Sequence, residues 1–246
     1  MQVIIQKDAA HFVADMMADA LRAKPDTVFG LATGNTVVPV YDRLIALRKK
    51  EKLDFSQCAS FNLDEYVGVS PDDPISYRAT MQRLLFDHVN INAKATRVPD
   101  GMAKNIATAC LKYEKAITAA GGIDFQLLGI GMDGHIGFNE PLTSFASLTH
   151  EQVLTLSTRE ANKDLCNGKV PESAVTMGVR TILNSRRAVM LVTGKKKAKL
   201  IAEVIEGPIT AMYSATALHF HPDCVIVLDT AAAVHLKHTA HYITAN

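Results

Sequence analysis

The chain lacks any Cys-x-x-Cys pair; its four cysteines stand apart at positions 58, 110, 166 and 224. Zinc fingers, zinc ribbons and thioredoxin-like redox sites need that close pairing, so the spacing removes them. Four scattered thiols in 246 residues read as reduced and buried, the pattern of a cytoplasmic protein rather than a disulfide-stapled one. Long apolar runs are also missing, and none approaches the roughly 18 residues that a membrane helix needs. The opening residues Met1-Gln2-Val3-Ile4-Ile5-Gln6-Lys7-Asp8 turn polar too soon for a signal-peptide core. Charge of one sign is absent as well: 26 Lys and Arg face 25 Asp and Glu, for a net charge of +1. That balance gives no footprint for nucleic acid or an anionic membrane, and leaves room for a small anion held by local groups. No segment matches Gly-x-x-x-x-Gly-Lys-[Ser/Thr], which excludes a P-loop. Internal repeats, low-complexity tracts and linkers are missing too, so residues 1–246 are expected to form a single domain.

What is present is an ordinary globular composition, 48% hydrophobic and 21% charged, in a chain long enough to bury a sizeable core. Short apolar or β-branched runs alternate with longer stretches of helical period. Strands are expected at Val3–Gln6, Thr27–Ala32, Ala59–Leu63, Phe125–Ile130, Ala188–Thr193 and Val225–Leu228. Helices are expected behind Asp8 (Ala9 to Leu21), and over Pro39–Lys50, Tyr77–His88 capped by Ser76, Ala103–Ala120 and Lys195–Ile205. This alternation predicts a three-layer, doubly wound α/β fold, with a mostly parallel sheet covered by helices on both faces. Ligands of such folds bind at the carboxyl ends of the strands. Four polar segments fall there: Ala32–Thr36, Asn62–Tyr66, Gly131–Glu140 and Thr193–Lys197.

Gly129-Ile-Gly-Met-Asp-Gly134 satisfies the dinucleotide pattern Gly-x-Gly-x-x-Gly, yet Gly137 and Pro141 prevent the helix that pattern requires. Asp133 would also set a negative charge against the phosphates. Read for side chains, the same loop carries Asp133, His135 and Glu140 within eight residues. Carboxylates beside an imidazole orient the ring and raise its pKa, which suits proton transfer near neutrality. The plainer reading makes Asp133 and Glu140 turn and surface residues and lets His135 fill a polar niche, but the apolar strand before the loop and its glycine-rich backbone favour a functional role. Asp64 and Glu65 close another strand, where a carboxylate shielded from water could take a proton from carbon or simply cap the strand end. Gly34, Asn35 and Thr36 precede a helix, either as a seat for phosphate or with Thr36 as an N-cap. Lys195, Lys196 and Lys197 open another helix, where cations oppose the dipole unless an anion sits between them. His219-Phe-His221 would place two imidazoles on one strand face, and His235, His238 and His241 recur at every third residue. Neither set has a carboxylate or cysteine partner at a known spacing, so no metal site is expected.

Together, Ala32-Thr-Gly-Asn-Thr36, Phe61-Asn-Leu-Asp-Glu-Tyr-Val-Gly68, Ser76-Tyr77, Asp133-Gly-His-Ile-Gly-Phe-Asn-Glu-Pro141, Thr176-Met-Gly178 and Leu191-Val-Thr-Gly-Lys195 closely resemble the glucosamine-6-phosphate deaminase family. The resemblance runs in order over roughly residues 1 to 230. It implies a Rossmann-like sugar-phosphate isomerase fold and a cofactor-free conversion of an amino-sugar phosphate and water to fructose 6-phosphate and ammonia. It implies Asp64 as the base at C2, His135 as the ring-opening group, and Asp133 and Glu140 as the carboxylates that hold the imidazole. It also implies phosphate contacts from Gly34, Asn35, Thr36 and Lys197. A homo-oligomer is compatible with the resemblance and is not specified by it.

The departures lie at the phosphate end. The family pattern has Gly-Ser-Thr or Gly-Gly-Thr followed by proline, where this chain has Gly34-Asn35-Thr36-Val37. It has arginine where this chain has Asp164 and again where it has Leu148. Losing a bidentate guanidinium weakens a phosphate clamp unless Lys163, Lys195 or Lys196 compensates. On that ground Asp164→Arg is expected to tighten phosphate binding, and the absence of basic groups near Leu148 predicts unregulated kinetics. Galactosamine 6-phosphate is the alternative substrate that an altered clamp with intact acid–base groups suggests. A 6-phosphogluconolactonase-like hydrolase is a further alternative, although a lactonase has no use for a base at C2. A sugar-sensing regulator would need a helix-turn-helix, for which no segment is seen before the first strand.

Overall fold

The computed structural model describes residues 1–164, 166 and 168–245. The chain opens with β1 (Gln2–Gln6) and α1 (Ala9–Ala23), the latter begun by Asp8, whose carboxylate accepts the His11 N–H at 3.3 Å. Val13, Met17 and Leu21 recur at helical spacing and bury that face. Next come β2 (Val28–Leu31), α2 (Val38–Glu51), β3 (Ala59–Asn62), β4 (Asp64–Tyr66) and α3 (Tyr77–Leu84). The helix expected to reach His88 stops at Leu84, because Leu85 leaves helical geometry (φ −140°) and a 3₁₀ turn follows at Phe86–His88. Then follow β5 (Thr96–Arg97), α4 (Ile106–Ala119) and β6 (Phe125–Leu128). Asn105 caps α4 through the Thr108 N–H at 2.8 Å, so the helix starts three residues later than its periodicity predicts. β7 (His150–Val153), α5 (Leu156–Ala161), β8 (Ser173–Thr176), α6 (Val179–Leu183), β9 (Arg187–Val192), α7 (Ala198–Glu206), β10 (Cys224–Leu228) and β11 (Ile243–Ala245) complete the order.

Eight strands form one sheet in the order β11-β1-β10-β9-β6-β2-β3-β5, and every pairing in it is parallel. Apart from the buried Gln126 on β6, its central strands β2, β6 and β10 are apolar, as a sheet covered on both faces requires, and all their residues are buried. This is the α/β architecture that the alternating pattern predicts. The four polar segments leave the carboxyl ends of β2, β3, β6 and β9, and these strands are adjacent in the order β9-β6-β2-β3. Topology alone therefore gathers Ala32–Thr36, Asn62–Tyr66, Gly131–Glu140 and Thr193–Lys197 at one edge.

Strands β4, β5, β7, β8 and β11 and helices α5 and α6 were not expected, and three of these strands form a second sheet. Asp64–Tyr66 does not continue β3 but joins an antiparallel sheet, β4-β8-β7, with Asp64 opposite Thr176 and His150 also opposite Thr176. This small sheet stands over the carboxyl edge and carries its own apolar cluster of Tyr66, Val69, Phe138, Leu154 and Ala174. Among the described residues, no helix is long and apolar enough to cross a membrane.

Candidate active site

The glycine-rich loop after β6 is fastened at several points. Gly131 N–H donates to the His135 carbonyl at 2.9 Å, Ile136 N–H to Ser214 Oγ at 3.2 Å, and Phe138 N–H to Thr176 Oγ1 at 3.0 Å. The buried Asn139 amide donates to the carbonyls of Ile136 and Met177, both at 2.8 Å. Two glycines are dictated by space. A Cβ at Gly131 would overlap the His135 ring, and Gly137 has φ +59° with Thr176 Oγ1 only 2.9 Å from where its Cβ would stand.

This fixed backbone presents the imidazole. His135 Nδ1 lies 2.6 Å from Asp133 Oδ1 and 3.7 Å from Glu140 Oε2. Burial disfavours the charged ring, but the two carboxylates outweigh it and raise the His135 pKa to about 9. Burial acts against the Asp133 carboxylate too, and the adjacent imidazole still holds it below its usual range. Glu140 is buried behind the ring rather than on the cleft wall. Its carboxylate also accepts the Thr155 N–H at 3.0 Å and hydroxyl at 3.3 Å, joining the histidine to the residue that caps α5.

Asp64 is supplied by β4. Successive side chains of a strand point to opposite faces, so Asp64 and Tyr66 line the cleft while Glu65 points away from it. Burial, reinforced by the neighbouring Glu65 and only partly offset by His135, raises the Asp64 pKa to about 7. Glu65 is also buried and accepts three backbone N–H groups, from Tyr66 (2.9 Å), Tyr77 (3.0 Å) and Arg78 (3.0 Å). It thereby ties β4 to the first turn of α3.

The cleft has a volume of about 820 Å³, and Gly34, Asn35, Thr36, Asp64, Asp133, His135 and Lys197 all line it. Of the eight residues singled out from sequence, seven line one cavity and Glu140 backs it. Thr36 is not an N-cap: α2 begins after Val37 and has no side-chain cap. Pro39 in its first turn has no N–H and the Val40 N–H donates to the Val37 carbonyl at 3.0 Å, so the Val38 N–H is the one left for another acceptor. Lys197 donates to the Ile130 carbonyl at 2.6 Å, and burial lowers its pKa. It stands in the 3₁₀ turn Lys195–Lys197 that precedes α7, and Lys196 lines the cleft beside it. Asp164 is exposed and is not part of the cleft wall, nor are Leu148, Lys163 and Lys195. Lys163 pairs instead with Glu160 at 3.4 Å.

Sequence reasoning missed three contributions. Arg83 on α3 lines the cleft next to Thr80 and Leu84, and has no ion-pair partner among the described residues. Nothing in helical periodicity distinguishes such an arginine from a solvated one. Tyr77 forms an aromatic group with Tyr66 and Phe138, with centroids 4.9 to 6.0 Å apart, and Phe138 lies 6.2 Å from the His135 ring. The Ser76-Tyr77 motif was a signal for it. Ser157, Thr158 and Asn162 come from α5 and its end. The histidine pairs resolve otherwise than drawn from sequence. His219 lies in the 3₁₀ turn Ser214–Phe220, not on a strand, and its ring contacts the Val204 carbonyl at 2.9 Å. His221 is buried against Ser185.

Among the described residues, Asp133, His135 and Glu140 are the group whose donor atoms are close enough for a metal ion, all within 4.8 Å. The 2.6 Å separation of Nδ1 and Oδ1 is a direct contact, shorter than two ligands of one ion adopt, and fits a paired imidazole better. The chemistry available is therefore acid–base: a buried carboxylate poised at neutrality, a charged imidazole, and a helix start with an ammonium for an anion.

A parallel sheet with its polar cleft at the carboxyl edge makes this a doubly wound α/β enzyme. The chain belongs to the family described as glucosamine-6-phosphate isomerases/6-phosphogluconolactonase, whose model matches residues 3–225. It is 43% identical over 238 residues to a glucosamine-6-phosphate deaminase of Thermoanaerobacter pseudethanolicus, covering 95% of this chain and 94% of that one. It is 44% identical over 247 residues to the glucosamine-6-phosphate deaminase of Cellvibrio japonicus, covering 98% and 94%. Among solved structures, a monomeric glucosamine-6-phosphate deaminase superposes with a TM-score of 0.91 at 41% identity, covering 95% of this chain and 99% of that one. The 6-phosphogluconolactonase of Thermotoga maritima shares the fold, with a TM-score of 0.73 at 22% identity over 93% and 99%.

Proposed function

We propose that the enzyme converts glucosamine 6-phosphate and water to fructose 6-phosphate and ammonia, with residues 1–246 acting as a single domain and no cofactor. The observation that carries this reading is Asp64: a buried carboxylate whose pKa is raised to about 7, in the same cleft as a charged imidazole and an uncapped helix start. A lactonase has no step that needs such a base.

In this reading the substrate phosphate sits on Gly34, Asn35 and Thr36 at the start of α2, with Lys197, Lys196 and Arg83 supplying positive charge. His135, protonated at neutral pH, gives its proton to the ring oxygen and takes the O1 proton in return, which opens the sugar to the aldehyde. Asp133 and Glu140 hold the ring and favour its charged form. Asp64 then removes the C2 proton, the electron pair forms the C1–C2 double bond, and the aldehyde oxygen takes the proton that His135 recovered from O1. Asp64 returns its proton to C1, and the iminium so formed gives an N–H proton back to His135, leaving an imine at C2. Water adds to C2 and ammonia departs, so one water is consumed for each ammonia released. Each proton transfer contributes about 10²–10⁴-fold, and anchoring by the phosphate contributes much of the rest through positioning.

A coupled ammonia assay over glucosamine 6-phosphate, galactosamine 6-phosphate and 6-phosphogluconolactone tests the proposal. Ammonia is expected from glucosamine 6-phosphate in preference to its C4 epimer. Preference for the epimer would correct the substrate. No ammonia from either, with the lactone hydrolysed, would overturn the reaction itself.

A further inference from the structure

Glu65 points into a second cavity, of about 800 Å³, walled by Arg78 of α3, β5, the segment 98–105 that follows it, and α4 as far as Ala116. Four cations line it: Arg78, Arg97, Lys104 and Lys112. Two carboxylates share the wall and both are already engaged, Glu65 by three N–H groups and Asp100 by the Met102 N–H at 3.1 Å. Among the described residues none of the four cations has a carboxylate within ion-pair distance, whereas Arg22, Lys24, Arg43, Arg186 and Arg187 each do. Unpaired like charges around one concavity repel each other, and a multivalent anion relieves that repulsion.

The two guanidinium groups are also held in place. Arg78 Nη1 donates to Thr96 Oγ1 at 2.8 Å and to the Thr96 carbonyl at 3.3 Å, and the group lies over the Phe86 ring. Arg97 packs over the buried Phe61 ring at 5.8 Å. A guanidinium fixed on an aromatic face loses little entropy on binding and keeps other N–H groups for bidentate contact with phosphate oxygens.

We propose that this cavity is a second anion site for a small phosphorylated or diphosphate ligand, and that its occupancy is felt in the catalytic cleft through Glu65. The coupling path is short. Glu65 binds the N–H groups of Tyr77 and Arg78; Arg78 faces this cavity, Tyr77 faces the cleft, and Asp64 precedes Glu65 on β4. An anion that draws on Arg78 loads the same turn of α3 that bears Tyr77. The site does not depend on the reaction proposed above.

Binding measurements test it without reference to activity. Inorganic pyrophosphate is titrated calorimetrically into Lys197→Ala protein, whose cleft has lost its buried ammonium, and a binding event is expected. Adding Lys104→Glu and Lys112→Glu, both exposed positions, should weaken that event by about tenfold or more, with circular dichroism unchanged. Hydrogen exchange of the Tyr66, Tyr77 and Arg78 amides should slow with pyrophosphate in Lys197→Ala and not in the charge-reversed protein. No binding, or binding unaffected by the charge reversal, overturns the site. Binding without slowed exchange overturns its link to the cleft.

Discussion

At the catalytic end of the cleft the functional side chains are positioned by the protein itself, while at the anion end Lys197 is held by the Ile130 carbonyl but the Val38 N–H and the Arg83 guanidinium have no partner among the described residues. His135 rests between two carboxylates on a loop fastened to β8 and to the Ser214–Phe220 turn. The start of α2, by contrast, has no side-chain cap, and Arg83 has no ion-pair partner among the described residues. The difference follows from what each end handles. Protons move over tenths of an ångström and need groups fixed in advance, whereas an anion brings its own charge and can complete the site it enters.

The sharpest way to break this contrast is at Asp64. Asp64→Asn should lower kcat by about 10²–10⁴-fold while KM changes little, because it removes a proton acceptor and keeps the shape. An unchanged kcat would take Asp64 out of the reaction. The pH profile should show the same groups. Asp64 must be ionised, so kcat/KM rises with pH through about 7; His135 must be protonated, so it falls again above about 9. Between pH 7 and pH 5 the loss should be about 50-fold, and a flat acid limb would mean that no carboxylate of this pKa is required. At the other end, Lys197→Ala should raise KM by about 10- to 100-fold with a smaller effect on kcat, since a charged hydrogen bond contributes about 1.5–3 kcal/mol. Arg83→Gln should raise KM less, and Asp164→Arg should move it least, by under about fivefold, as an exposed charge does. A tighter KM in Asp164→Arg with no effect in Arg83→Gln would reverse their assignment and restore the expectation drawn from sequence.

The catalytic end was the more legible in sequence for the same physical reason. Three of its groups, Asp133, His135 and Glu140, sit in one contiguous loop after β6, and the glycines there answer to tight contacts with His135 and Thr176. The parallel sheet was legible because β2, β6, β9 and β10 are almost wholly apolar. The small antiparallel sheet was not. β7 reads His-Glu-Gln-Val with no buried residue, and β4 is Asp-Glu-Tyr, so neither offers the alternation that marks a strand. Only pairing with β8 makes strands of them. Arg83 and the cations of the second cavity were hidden because convergence from α3, β5, the segment before α4 and α4 itself is a tertiary fact. Asp164 was legible as a departure from a pattern, but only its exposed position shows that the departure lies off the cleft wall.

The aromatic group of Tyr66, Tyr77 and Phe138 has an optical consequence. The chain has six tyrosines and no tryptophan, so its near-ultraviolet absorption and its emission are those of tyrosine, with no indole to mask them. Two of the six line the cleft, in hydroxyl contact at 3.1 Å and beside the ring of Phe138, itself neighbour to His135. A ligand that enters the cleft changes the surroundings of this pair directly. The unlabelled protein therefore carries its own probe of substrate arrival, read as a shift in tyrosine emission before any ammonia has formed.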